Sequence, residues 1–197
     1  RHETQVIPKS PDGEVIPAEK QSGVRELIMS YRIHGHMAAQ LDPIQLRPRE
    51  LPRALQLEEH NLSKADLDTV FDCGTMWGPK EARLREIIQV LQQTYTRSIG
   101  VEYNHINNLE MRNWLRERLE RTRSSASYPA EFRRDLLSRI TAAEGLERFL
   151  HTRYSGQKRF SLEGGESLIP LLNTVIDRCG TSGVKEMAIG MAHRGRL

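Results

Sequence analysis

Aromatic side chains are scarce in this 197-residue chain, at 6%, so a core has to be built mainly from Leu, Ile, Val, Met and Ala. No apolar run approaches the roughly 18 residues that a membrane-spanning helix needs, so no membrane partner is expected. The opening stretch RHETQVIPKSPDGEVIPAEK lacks the apolar segment of a secretion signal. Only two cysteines occur, Cys73 and Cys179, far apart and without a neighbouring Cys or His at metal-ligand spacing. That argues against a disulfide framework and for a reduced, interior compartment. A strong charge of one sign is missing as well. The 29 basic residues face 26 acidic ones along the whole length, for a net +3. A nucleic-acid binder concentrates its charge on one face, so no nucleic acid is expected as a partner. Even the densest basic stretch, Arg112 to Arg123, carries Glu117 and Glu120 among its arginines and reads as a solvated helix face.

What is present is mostly helical periodicity. Residues 1–22, with Pro8, Pro11, Pro17 and Gly13, read as a linker or extended arm. Val24, Leu27, Ile28, Tyr31, His34 and Ala38 then recur at helical spacing, which predicts a helix over 24–40 that stops before Leu41-Asp42-Pro43. Residues 43–62 read as an irregular wrap. Ser63, with Asp66 three positions on, predicts the cap of a short helix reaching Val70 or Phe71. A turn over Gly74–Gly78 follows, and Pro79 suits the first turn of a helix whose apolar face holds Leu84, Ile87, Ile88, Leu91 and Tyr95. The run 98–103 is expected to be extended.

Asn108 is a candidate cap for a helix that buries Leu109, Trp114, Leu115 and Leu119. Two further helices are predicted. One starts after Pro129 and the other opens at Thr141, where Thr-Ala-Ala-Glu matches a capping box. Residues 155–165 form a polar connector. The apolar stretch from Glu166 to Cys179 is helical provided that Pro170 lies in the first turn. Glu186–Met191 is the best strand candidate, and a helix, a turn, a strand and a glycine-bearing loop open an α/β unit, in which ligands gather beyond the carboxyl ends of the strands. The layout is therefore an arm at 1–22, a helical module at 23–153 and the start of an α/β domain at 154–197.

His193-Arg194-Gly195-Arg196 follows that strand. Two guanidinium groups and an imidazole beside a glycine suit an anionic ligand, because arginine offers planar, permanently charged donors and histidine exchanges a proton near neutrality. The bland alternative is a solvated tail. His34 and His36, two positions apart, would point about 200° apart on a helix and make a poor shared metal site. Lys158–Glu166 precedes a helix N-terminus and could hold an anion, but Glu163 and Glu166 oppose that, and a structural connector held by Phe160 and Leu162 is the competing reading. Cys73 and Cys179 have no neighbouring base and read as packing residues.

Five strings, in order, resemble one family: Tyr31-Arg-Ile-His-Gly-His36 with Leu41-Asp-Pro43, Ile99-Gly-Val-Glu-Tyr-Asn-His-Ile106, Leu136–Phe149 around TAAEGLE, Lys158–Pro170 (KRFSLEGGESLIP) and Gly190–Leu197 (GMAHRGRL). The family is the thiamine diphosphate-dependent decarboxylating component of the 2-oxoglutarate dehydrogenase complex. The resemblance covers about residues 24–197, and KRFSLEGGE and GMAHRGRL are its most specific strings. It implies a mainly α fold in which a helical N-terminal module precedes the first helix and strand of a thiamine diphosphate-binding α/β domain. It implies oxidative decarboxylation of 2-oxoglutarate, with thiamine diphosphate held through magnesium, and transfer of the succinyl group to a lipoyl-bearing succinyltransferase within the tricarboxylic acid cycle. It also implies a homodimer in which a partner subunit completes the site.

Carried over by position, His193 faces the substrate and the cofactor's reactive carbon and assists proton transfer, Arg194 contacts thiamine diphosphate, and Arg196 braces the loop. The magnesium ligands, the glutamate that activates the aminopyrimidine and the further substrate-binding histidines are expected outside these 197 residues, so the isolated chain is expected to be inactive. Docking to the core of the complex is not legible in residues 1–22. The expected location is the cytoplasm of a bacterium or, in a eukaryote, the mitochondrial matrix, with the cytoplasm favoured. The competing readings are a 2-oxoadipate dehydrogenase component and a non-catalytic helical assembly module.

Overall fold

The computed structural model describes residues 17–44 and 50–190. The chain divides into two compact units, residues 1–126 and 127–197. Both are dominated by helices, compatible with the mainly α fold expected.

In the first unit, helix α1 runs Ala18–His34 and continues as a 3-10 turn over Gly35–Ala38. It starts inside the stretch expected to be a linker. Pro17 stands just before the first helical residue and Glu19 lies in the first turn, both favourable at a helix start. Gln21 anchors that start: its side-chain amide donates to the Asp72 carbonyl (3.0 Å) and its carbonyl accepts from the Asp72 N–H (2.9 Å). Short 3-10 turns occupy Arg53–Leu55, Leu57–His60 and Lys64–Asp68. Ser63 opens the last of these as expected, with its N–H and hydroxyl donating to the Asp66 carboxylate at 2.8 and 3.0 Å. The segment does not remain helical to Val70. Strand β1, Val70–Asp72, pairs antiparallel with β2, Glu81–Arg83, in the register Phe71↔Ala82.

Pro79 therefore precedes a strand and not a helix. The reversal at Gly74 and Gly78, both at positive φ, returns the chain so that Lys80 accepts from the Cys73 N–H, and this pairing takes up the residues expected to be the helix's first turn. Helix α2 begins at Leu84 and ends at Tyr95, and α3 spans Leu109–Thr122. Asn108 caps α3 as expected, accepting from the Met111 N–H at 2.9 Å. Residues 98–103 form no helix and no ladder.

The core of this unit lies where Val24, Leu27 and Tyr31 of α1 meet Leu84, Ile87, Leu91 and Tyr95 of α2, closed by Phe71 and Tyr103. Each such side chain contributes about 1.5–3 kcal/mol when fully buried. Two glycines make the approach possible. A Cβ on Gly23 would lie 2.0 Å from the His60 carbonyl oxygen, and one on Gly35 would lie 2.6 Å from the Tyr95 Cβ. Leu115 and Leu119 pack against this core as expected, whereas Leu109 and Trp114 are exposed. The roll of α3 is set by a buried glutamate, described below, and not by its apolar residues.

The second unit holds α4, Ala130–Arg153, and α5, Leu168–Thr181. The two helices expected on either side of Thr141 are one. Between Ala130 and Arg153 only Gly145 weakens the helix, and Glu144 pairs with Arg148 one turn on (2.6 Å) in place of capping Thr141. Pro170 is the third residue of α5, inside the first turn as its missing N–H requires. Residues 184–190 form no ladder. The described part of the expected strand 186–191 finds no partner strand among the described residues, and pairing is what defines a strand.

Candidate functional site

His193 and Arg194, the residues expected to meet substrate and cofactor, lie with Arg196 in the segment 191–197, outside the described residues. What the structure does place is the framework formed by the other four strings.

In the first unit, Tyr31–His36 and Ile99–Ile106 meet through a buried polar cluster. Arg32 is 3% exposed and Glu120 is fully buried. Arg32 Nε donates to Glu120 Oε1 at 2.8 Å and Nη2 lies 2.7 Å from the same oxygen. The Tyr95 hydroxyl donates to that oxygen too (2.8 Å) and stands 3.1 Å from the Tyr103 hydroxyl. The second carboxylate oxygen accepts from the Trp77 N–H at 2.7 Å. Arg32 spends its remaining donors on Thr75, at Oγ1 (2.9 Å) and the carbonyl (3.2 Å), while Asn104 Nδ2 donates to the Arg32 carbonyl (2.8 Å). Burial, with the Glu120 charge beside it, pushes the Tyr95 hydroxyl well up, and burial raises Tyr103 too. Both phenols are kept as neutral donors around one carboxylate. The Arg112–Arg123 stretch is thus a solvated face apart from the buried Glu120 and the core-packed Leu115 and Leu119.

The histidines of the first string do different things. His34 ends α1, while His36 lies in the following 3-10 turn with Nε2 3.9 Å from the Glu102 carboxylate. Among the described residues no three His, Cys, Asp or Glu side chains converge as a metal site. Cys73 is buried, and burial together with Asp72, Glu86 and Glu81 pushes its thiol up to about 11. This is a protonated packing residue, as its sequence context suggests.

In the second unit, TAAEGLE and KRFSLEGGE meet at Glu147. Its carboxylate pairs with the Arg159 guanidinium and accepts from the Leu162 N–H at 3.0 Å, with both side chains largely buried. Glu166 accepts from the Gly164 N–H (3.0 Å), and backbone donors at Gly164 and Glu166 lower its carboxyl below the usual range. Arg159 and both glutamates are engaged within the loop. The connector is thus a structural brace, but it is held by the Arg159–Glu147 pair, whereas Phe160, expected to hold it, is exposed. The sequence pointed to Glu144 as the capping glutamate; the bracing one is Glu147, one turn further along the inner face of α4.

No protein-family model matches the chain. Among curated proteins it is 52% identical over 180 residues to a 2-oxoglutarate dehydrogenase E1 component of Azotobacter vinelandii, and 45% identical over 179 residues to one of Cupriavidus necator. These alignments cover 91% and 90% of this chain and 19% of each relative. A protein of Mycolicibacterium vanbaalenii named multifunctional 2-oxoglutarate metabolism enzyme is 43% identical over 182 residues, 91% of this chain and 14% of that protein. The likeness is to components of 2-oxo acid-metabolising enzymes. By sequence the chain is similar over about nine tenths of its length to proteins named 2-oxoglutarate dehydrogenase E1 component, and it spans at most about a fifth of the length of these curated relatives.

Proposed function

We propose that this polypeptide is the leading part of a thiamine diphosphate-dependent 2-oxoglutarate dehydrogenase E1 component. In this reading it serves the oxidative decarboxylation of 2-oxoglutarate and delivery of the succinyl group to a lipoyl-bearing succinyltransferase, acting as a homodimer. The observation that carries the reading is the 52% identity over 91% of the chain to a protein of that name. The packing supports it: the family strings pair off, two around Glu120 and Arg32, two around Glu147 and Arg159.

The cofactor, when bound, supplies a carbon nucleophile for the keto group. The reading assigns the ligands of its magnesium to the remainder of the protein. This chain's own contribution is His193 and Arg194. The imidazole of His193 donates to the substrate's oxo or carboxylate oxygens in this reading and can pass a proton. A fixed cation at Arg194 offers several donors to a phosphate.

The test is steady-state kinetics on the full-length enzyme. His193→Ala is expected to lower kcat/KM for 2-oxoglutarate by about 10²–10⁴, and Arg194→Ala to raise the thiamine diphosphate concentration needed for half-maximal activity. Wild-type activity on 2-oxoglutarate should exceed that on 2-oxoadipate; the reverse order overturns the substrate. Calorimetric titration of the 197-residue chain with thiamine diphosphate and magnesium should give no micromolar binding. Binding at that strength would show that the chain carries the cofactor site by itself.

A further inference from the structure

The buried apolar side chains of the core, Val24 to Tyr103, all lie in the first unit. In the second unit only Pro170 is buried among the described residues. Helices α4 and α5 pack on one another, yet Leu137, Phe149 and Leu171 are each more than half exposed. What fixes this unit is local. Arg139 pairs with Asp135 and Arg148 with Glu144, each one turn away on α4, and the Glu147 carboxylate holds Arg159 and the Leu162 N–H.

These contributions differ in size. Burial of apolar surface is the main favourable term in folding. A helix in a protein draws most of its stability from packing an apolar face, not from propensity. Ion pairs on an exposed helix face add little, and Gly145, in the interior of α4, weakens that helix further. One chain thus joins a unit that has a core to a unit that has none.

We propose that the second unit opens and orders separately from the first and at lower cost. The connector 155–165 and the Glu147–Arg159 brace are then made and lost while the first unit stays folded. Order in TAAEGLE and KRFSLEGGE is set apart from order in the core, and segments that rearrange on binding are drawn from such low-stability elements. This holds whichever reaction the protein serves.

Two probes separate the units in one urea titration of the 197-residue chain. Both tryptophans, Trp77 and Trp114, belong to the first unit. Far-ultraviolet circular dichroism follows all the described α-helices, and α4 and α5 hold close to half of their residues. Expected is a loss of close to half of the helical signal at low urea with tryptophan emission unmoved, then a second transition seen equally by both probes. G145A should move the first transition to higher urea and leave the emission midpoint in place. I87V, which trims a fully buried side chain, should lower only the second. Amides of 130–181 should exchange at least about tenfold faster than those of α2. Coincident midpoints for the two probes overturn the proposal, as does exchange in α4 as slow as in α2. So does a first midpoint that rises with protein concentration, since a second copy would then be holding the unit together.

Discussion

Arg32 and Glu120, 88 residues apart in sequence, form an ion pair that excludes water, with Nη2 2.7 Å from Oε1 and both side chains at most 3% exposed. It ties α1 to α3 and carries Tyr95, Tyr103 and the Trp77 backbone with it. A charge in that place is tolerated because Arg32, the Tyr95 hydroxyl and the Trp77 N–H all donate to it. Glu120→Ala and Arg32→Ala are each expected to cost about 3–5 kcal/mol, since each leaves one buried charge alone. Urea unfolding of the two variants and of the double variant checks this, and the double variant should lose clearly less than the sum.

Glycines in two helices should respond with opposite sign. Gly23→Ala places a methyl group 2.0 Å from the His60 carbonyl oxygen, which is backbone and cannot step aside. A loss of at least about 3 kcal/mol is expected, at the upper end of overpacking costs. Gly145→Ala meets nothing within 4 Å in the interior of α4, so helix propensity alone acts and should favour the alanine by about 1 kcal/mol. Thermal melts of the two variants, followed by helix circular dichroism, decide the signs.

Two groups give the first unit opposite pH limits. Burial opposes ionisation of Asp66, but Lys20 and the Ser63 donors outweigh it and hold the carboxyl below its usual value. A depressed folded pKa contributes stability above the unfolded value, near 4, that is lost as pH falls further. Asp66→Asn should therefore destabilise the chain at pH 7 and flatten the acid limb of its stability curve. The Cys73 thiol, raised to about 11, keeps its proton in the folded state. Its contribution is complete below the unfolded value, about 8.5, and is lost as pH rises towards 11. A thiol reagent at pH 8 should modify the half-buried Cys179 at once, and Cys73 only when the chain is unfolded.

The Glu147 brace predicts a local effect. Glu147→Ala should release the Leu162 amide, now bonded at 3.0 Å, and leave α4 helical. Hydrogen exchange should quicken over 159–166 and stay unchanged over 130–145. Equal quickening in both stretches would show instead that the carboxylate only supports the helix.

Much of this architecture could be read from residue order because it rests on local rules. Asn108 and Ser63 capped where expected, Pro170 fell in the first turn of α5, and the α2 stripe from Leu84 to Tyr95 faced the core. Several misreadings share a physical origin: a partner elsewhere in the fold overruled a local preference. Trp114 lost its inward place because Glu120 had Arg32 to meet, and Pro79 lost its helix because Cys73 had Lys80 to pair with. Gln21 turned a stretch read as linker into the start of α1 by bonding to Asp72. The strings of the candidate site were legible as strings. Which glutamate of TAAEGLE does the bracing was not, because Glu144 and Glu147 differ only in what lies across from them.

Helix α4 has no buried residue in 24, and this bears on how the polypeptide is made. The core of the first unit draws its last element from α3, so it can close on the nascent chain while α4 is still emerging from the ribosome. Helix α4 packs instead on α5 of its own unit. Its apolar side chains, Leu137, Leu146 and Phe149 among them, stay exposed. The order of synthesis thus matches the order of self-sufficiency, which is how multi-domain chains avoid misassembly as they grow.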